Sequence, residues 1–167
     1  MGNVSNITWV LPRPRKDHYP GGFPQHFESM LYRFLQMQPG AKVLHPFGGM
    51  AEYGIRTDLK REVNPDIIAN AERLPFKDNT FDIVICDPPY NGELSKKLYD
   101  GPAPRYRKYG IEAVRVCKEF GFIVLYHWYM TPRLSGTALR TRLIILQRIW
   151  GRPRVASICQ KNTDYHA

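Results

Sequence analysis

The sequence predicts an α/β fold built on a mostly parallel central sheet, and three observations carry that expectation. Short apolar runs alternate with a helix-spaced pattern through the first half of the chain. The three loops of most unusual composition, HPFGGM (45–50), TDLK (57–60) and CDPPYN (86–91), each follow a strand candidate. That is where ligand loops stand in a parallel sheet, beyond the carboxyl ends of its strands. Near the end, TRLIILQRIW and PRVASICQK flank a Gly-Arg step, which reads as an antiparallel hairpin.

Taken in order, residues 1–24 are rich in Pro, Gly and basic groups and read as an irregular arm. Phe27, Met30, Leu31, Phe34 and Leu35 then recur at helical spacing between Pro24 and the QPG turn. AKVLHPF follows as a short buried strand broken by Gly48-Gly49. YGIRTD and PDIIAN are further short strands, and FDIVICD is the strongest strand in the chain. Apolar positions from Arg105 to Phe120 suit a helix, and GFIVLYHWY a buried strand. No internal repeat, low-complexity tract or linker interrupts residues 1–167, which read as one domain.

The chain of 167 residues is 43% hydrophobic and carries a formal charge of +9. That apolar content suffices for one globular core, and the positive balance favours a polyanionic partner. No apolar run reaches membrane-spanning length, and the first residues lack the apolar region of a secretory signal. The Asn-x-Ser/Thr matches at Asn3 and Asn6 therefore carry no glycosylation expectation. MGNVSN matches a myristoylation pattern with no accompanying anchor feature. Cys86, Cys117 and Cys159 are isolated in apolar segments, with neither metal-ligand nor disulfide spacing. They read as buried thiols, and no metal site is expected. A cytoplasmic location follows, or association with the nucleoid of a prokaryotic or viral-host cell.

VICDPPYNGE raises the chemical question. Two prolines stiffen the chain where a sheet hands over to a loop, and an acid and a tyrosine bracket them. Together with the glycine loop HPFGGMAEYG, TDLK, and NAERLPFKDNTFDIVICDPPY in that order, the sequence resembles the S-adenosylmethionine-dependent methyltransferases that act on exocyclic amino groups of nucleic-acid bases. The upstream HYPGGFP resembles the segment that packs over the cofactor in that family. The terminal hairpin resembles its reversed last strand. The likeness runs from about Asp17 to Gln160 and implies a Rossmann-like methyltransferase fold.

The resemblance assigns roles residue by residue. Asp87 and the Pro88 carbonyl would accept hydrogen bonds from the two amino hydrogens of the target, freeing a lone pair otherwise delocalised into the ring. Pro88-Pro89 would hold those acceptors in place, and Tyr90 would stack on a base taken out of its helix. In the cofactor-binding set, Pro46, Phe47, Gly48 and Gly49 form the glycine loop, where the missing side chains allow close approach. Asp58 would accept from the ribose hydroxyls and Asn70 from the adenine amino group. Ala71 would offer a backbone N–H, Leu74 an apolar wall and Tyr19 a cover. His45 stands where relatives often carry Asp, and Ala51 where a small residue is usual. Only nine positions separate Gly49 from Asp58, too few for the usual first crossover helix.

The resulting expectation is methyl transfer to DNA, with adenine N6 favoured over cytosine N4. RNA base methylation is the alternative enzyme, and a non-catalytic nucleic-acid-binding module the alternative class. Asp rather than Asn at the first motif position argues against a protein-glutamine methyltransferase. No separate target-recognition domain is visible, so loops 91–107 and 129–142, a homo-oligomer or a protein partner would supply recognition. Both loops interleave Lys/Arg with aromatic residues, which suits phosphates and unstacked bases.

Overall fold

Eight strands hydrogen-bond side by side in the computed structural model, which describes residues 4–14, 22–89, 103–147 and 152–162. They are β1 (Ser5–Leu11), β2 (Val43–His45), β3 (Ile55–Asp58), β4 (Ile67–Ile68), β5 (Phe81–Cys86), β6 (Cys117–His127), β7 (Thr137–Gln147) and β8 (Arg154–Lys161). Their spatial order is β1-β7-β8-β6-β5-β2-β3-β4. Every neighbouring pair is parallel except those of β8, which runs antiparallel to both β6 and β7. The mostly parallel sheet and its terminal hairpin thus agree with the expectation.

Two α-helices cover the sheet among the described residues: α1 (Phe27–Phe34) and α2 (Tyr106–Val116). Because side chains alternate across a strand, β5 sends Ile83 and Ile85 to one face and Val84 and Cys86 to the other. The first face packs on Phe27 and Leu31 of α1, with Val124, Tyr126 and Ile158. The second packs on Tyr109, Ala113, Val114 and Val116 of α2, with Ile123 and Leu125. No helix among the described residues is long and apolar enough to cross a membrane.

The first crossover is shortened, as the spacing implied. Residues 46–54 join β2 to β3 without a helix, and Leu44 pairs directly with Ile55. Strands this short need little return path: three residues rise only about 10 Å. The β3–β4 connection holds just a 3₁₀ turn at Arg61–Val63. Ile55, Leu59, Ile67 and Ile68 consequently remain exposed at that side of the sheet.

Two expectations need correction. Residues 1–24 are not wholly irregular, since β1 pairs with β7 from Ser5↔Thr141 to Leu11↔Gln147. The alternation of Ile7, Trp9 and Leu11 toward the α1 face drives this, and the Pro- and Arg-rich flank hides it. The second helix ends at Val116 rather than Phe120. Its last carbonyls, of Arg115 and Val116, accept N–H bonds from Asn79 and Thr80 (3.0 and 2.8 Å). The chain is already extended at Cys117, and Phe120 sits at φ 59, outside any right-handed helix.

Phe27 has no exposed surface, and its ring lies 5.0 Å from those of both Phe23 and Tyr126. Phe27→Ala should therefore lower unfolding free energy by about 3–5 kcal/mol. Urea denaturation followed by circular dichroism measures this loss.

Candidate active site

The parallel strands β2, β3, β5 and β6 deliver His45, Asp58, Asp87 and His127 to one edge of the sheet. The glycine loop closes over the first two of these strands. Gly48 N–H donates to the Thr57 carbonyl (2.8 Å), and Thr57 Oγ1 donates to the Pro46 carbonyl (3.3 Å). Gly48 is demanded by β3 itself: a Cβ there would lie 2.6 Å from Arg56 Cβ. Gly49 differs, with φ +43 and open space where its side chain would be. Phe47, between β2 and the glycines, meets the Tyr109 ring edge-on at 5.3 Å.

Asp58 is only 2% exposed. Its Oδ2 accepts from Gly49 N–H (3.1 Å) and its Oδ1 from Lys60 N–H (3.0 Å). The carboxylate thus ties the glycine loop to the end of β3, a structural duty that its position in the sequence did not suggest. Asn70 is exposed just beyond β4, and its Oδ1 accepts from Glu72 N–H (2.9 Å). Ala71 and Leu74 are each 4% exposed and belong to the core beneath α2. Glu112 and Arg115 hold this segment to the helix. Leu74 N–H donates to Glu112 Oε2 (2.7 Å), and Arg115 donates to the Leu74 and Phe76 carbonyls.

Asp87 leaves the end of β5 half-buried, followed by buried Pro88 and half-buried Pro89. The β5–β6 register sets it beside Tyr126. Burial pushes Tyr109 and Tyr126 well above the usual tyrosine range, and the Asp87 charge adds to both shifts. Phe23, in the described end of HYPGGFP, lies over the same edge. Its ring centroid is 5.1 Å from that of Tyr126 and 6.1 Å from that of His45. Tyr19 and Tyr90 lie outside the described residues.

A second buried carboxylate supports the edge from α1. Glu28, 7% exposed, accepts from Tyr32 Oη (3.1 Å) at Oε1 and from Glu52 N–H (3.2 Å) at Oε2. His45 Nε2 lies 3.2 Å from Glu28 Oε1, off the line of a hydrogen bond. Burial and the Glu28 charge push the Tyr32 phenol up. Glu28 escaped the sequence reading, although an acid inside an apolar helical stripe was its available signal. Tyr109 and Tyr126 escaped because only the spatial order of the elements brings α2 and β6 against β5, whereas His127, which the sequence marks as a structural or substrate-edge residue, stands buried at this edge. Among the described residues no group of three or more His, Cys, Asp or Glu could hold a metal ion.

Comparison with known proteins places this arrangement among methyltransferase folds. No protein-family profile matches the chain, and no curated protein matches it. Among solved structures, the chain is similar to the Burkholderia thailandensis 1,6-didemethyltoxoflavin-N1-methyltransferase, solved with bound S-adenosylhomocysteine. The TM-score is 0.56 at 11% identity, covering 83% of this chain and 77% of that one. It is also similar to a structure of a Haloferax volcanii putative methyltransferase in complex with the Trm112 activator (TM-score 0.54, 11% identity, 82% and 90% covered). The match spans about half the length of two others, a Bacillus subtilis protein (48%) and a Bacillus halodurans putative methyltransferase (49%). The fold is therefore that of the Rossmann-like S-adenosylmethionine-dependent methyltransferases, with the strand between β6 and β7 reversed.

Replacing Asp58 by Ala removes both acceptors from the loop amides. Stability should fall by about 1–3 kcal/mol, with faster hydrogen exchange at Gly49 and Lys60. His127, 4% exposed, offers a pH test. Burial, then the Arg154 charge, lowers its pKa to about 4, against about 6.5 unfolded. Above pH 6.5 both states are neutral and the group is silent. Between about pH 6.5 and 4 the unfolded chain takes up a proton that the folded chain refuses. Stability should drop by about 3 kcal/mol across that window, and the His127→Gln variant should show a correspondingly shallower decline.

Proposed function

We propose that the chain transfers a methyl group from S-adenosylmethionine to an exocyclic amino group of a base in DNA, with adenine N6 favoured. One observation carries this reading: Asp87, Pro88 and Pro89 leave the central strand at the carboxyl edge of a methyltransferase fold, beside Tyr126 of the neighbouring strand. An amine on a purine or pyrimidine is a poor nucleophile until its hydrogens are held by acceptors. Asp87 Oδ and the Pro88 carbonyl are two acceptors on a backbone that prolines keep rigid, so little reorganisation is needed when charge develops. Tyr90 would stack on the base.

The residues present fit the cofactor. Gly49, at φ +43, leaves open space where a side chain would stand, and the Asp58 carboxylate lies beside it, bonded to the Gly49 N–H. Each Asp58 oxygen keeps a second lone pair for a ribose hydroxyl beyond its loop amide. When bound, the cofactor supplies an electrophilic sulfonium methyl. Pro46, Gly48 and Gly49 would shape the methionine side of the pocket. Asn70, Ala71 and Leu74 would shape the adenine side, with Tyr19 covering it.

Target recognition would come from the segments 91–107 and 129–142, whose ends enter α2 at Tyr106 and β7 at Thr137, or from a protein partner. The Haloferax neighbour described with an activator protein supports the latter. RNA remains the alternative substrate within the same chemistry. The non-catalytic binding module is the second reading, favoured by the loop amides that already occupy Asp58. Calorimetric titration with S-adenosylmethionine separates enzyme from module. Transfer from labelled cofactor to DNA and RNA pools, followed by nucleoside analysis, identifies the base and the polymer.

Asp87→Ala tests the assignment most directly. Methyl transfer should fall by about a hundredfold or more, as for loss of other preorganised groups, while cofactor affinity stays within about twofold. Near-normal turnover in the folded variant would remove Asp87 from the reaction.

A further inference from the structure

Just past β6 the chain turns three consecutive large side chains toward solvent: Trp128, Tyr129 and Met130, exposed by 44%, 46% and 56%. They stand at the active edge. Cys86 pairs with Leu125, so β5 and β6 end side by side, with Asp87 next to Tyr126 and His127. Tyr129 rests on the His127 ring, the centroids 4.2 Å apart at an interplanar angle of 42°. His127 is neutral at neutral pH because burial disfavours its charge, so the contact is ring against ring. Trp128 meets Tyr129 edge-on at 6.4 Å, and the Arg152 guanidinium lies 6.0 Å from the Trp128 centroid. Beside this cluster, Tyr106 Oη donates to the Pro132 carbonyl. A groove of about 260 Å³ continues between α2 and residues 133–135, with Arg107 and Arg133 among its lining residues.

We propose that Trp128 and Tyr129, backed by His127 and flanked by Arg152, form a stacking platform for unpaired bases of a single-stranded nucleic acid. The adjoining groove carries that strand's phosphates between Arg107 and Arg133. The inference rests on the nucleic-acid reading above and deepens it by naming a single strand as the substrate. Exposed rings accept any base through its π-face. A duplex withholds those faces in its own stack. A guanidinium beside the indole adds positive charge where the backbone must pass. An apolar protein partner would have no use for arginines at both ends of the cluster.

The test is fluorescence anisotropy of the full chain with one short labelled oligonucleotide, offered as single-stranded DNA, single-stranded RNA and DNA duplex. The single strand, of either sugar, should bind at least tenfold more tightly than the duplex. Trp128→Ala should weaken single-strand binding by about tenfold, the effect of losing one stacked base, and Trp128→Phe should restore most of it. Arg152→Ala should weaken binding and flatten its salt dependence. Preference for the duplex, unaltered affinity in Trp128→Ala, or no oligonucleotide binding by the unmodified protein would each overturn the platform. Parallel calorimetry with S-adenosylmethionine keeps the two readings apart. A protein that binds single strands through Trp128 but never binds the cofactor loses the methyl-transfer reading and keeps the platform.

Discussion

A carboxylate taken out of water must find hydrogen-bond donors, and Asp58 finds them in two backbone amides on either side of its own strand end. Gly49 N–H reaches one oxygen and Lys60 N–H the other. Those bonds fix how the chain leaves β2, crosses, and leaves β3, in a connection too short to hold a helix. The position of the glycine loop follows from them, as does the open space at Gly49. The distance from that space to the end of β5 follows in turn from the pairing of Val43 and Leu44 with Ile83 and Val84. Glu28 repeats the device from the other side, reaching Glu52 N–H out of α1. Two buried acids therefore hold a loop that would otherwise rest on a crossover helix.

The economy of helices has a cost and a benefit. Among the described residues no helix covers β3 and β4, so apolar residues there stay in contact with water and forgo the roughly 25 cal/mol per Å² that burial would return. The central strands do not share this cost. β5, β6 and β8 are flanked by α1 on one face and α2 on the other, and nearly all their core residues are fully buried. The Asp87 end of the sheet is thus mounted on the best-packed strands, while the glycine-loop side is held by hydrogen bonds rather than by bulk.

Much of this was legible in the sequence, for identifiable reasons. FDIVICD is a continuous apolar run closed by an acid, and β5 ends at Cys86 with Asp87 just outside the sheet. The count of residues between Gly49 and Asp58 forbade a helix, and none is there. The N-terminal strand was illegible because period-two alternation over Ile7, Trp9 and Leu11 is brief and abuts a Pro-Arg tract. The boundary between α2 and β6 was illegible because Val116, Cys117 and Phe120 satisfy both periods. Only the amides of Asn79 and Thr80, brought from far along the chain, decide where the helix stops. The hydrogen bonds of Asp58, and the neighbours of Asp87 on α2 and β6, depend on the spatial order of strands. Local spacing carries no information about that order.

The order of strands also bears on how the molecule is assembled during synthesis. β1 pairs with β7 alone, and Ser5 Oγ lies 3.0 Å from Thr141 Oγ1 across a separation of 136 residues. A nascent chain therefore carries β1 without its partner strand long before that partner leaves the ribosome. The terminal hairpin, by contrast, closes between near neighbours in sequence. Loop closure over such a span is a slow step, and the span far exceeds the separations of the other paired strands, such as Val43 with Ile83 or Phe122 with Gln160. A circular permutation carrying β1 behind β8 would turn that long-range pairing into a local one.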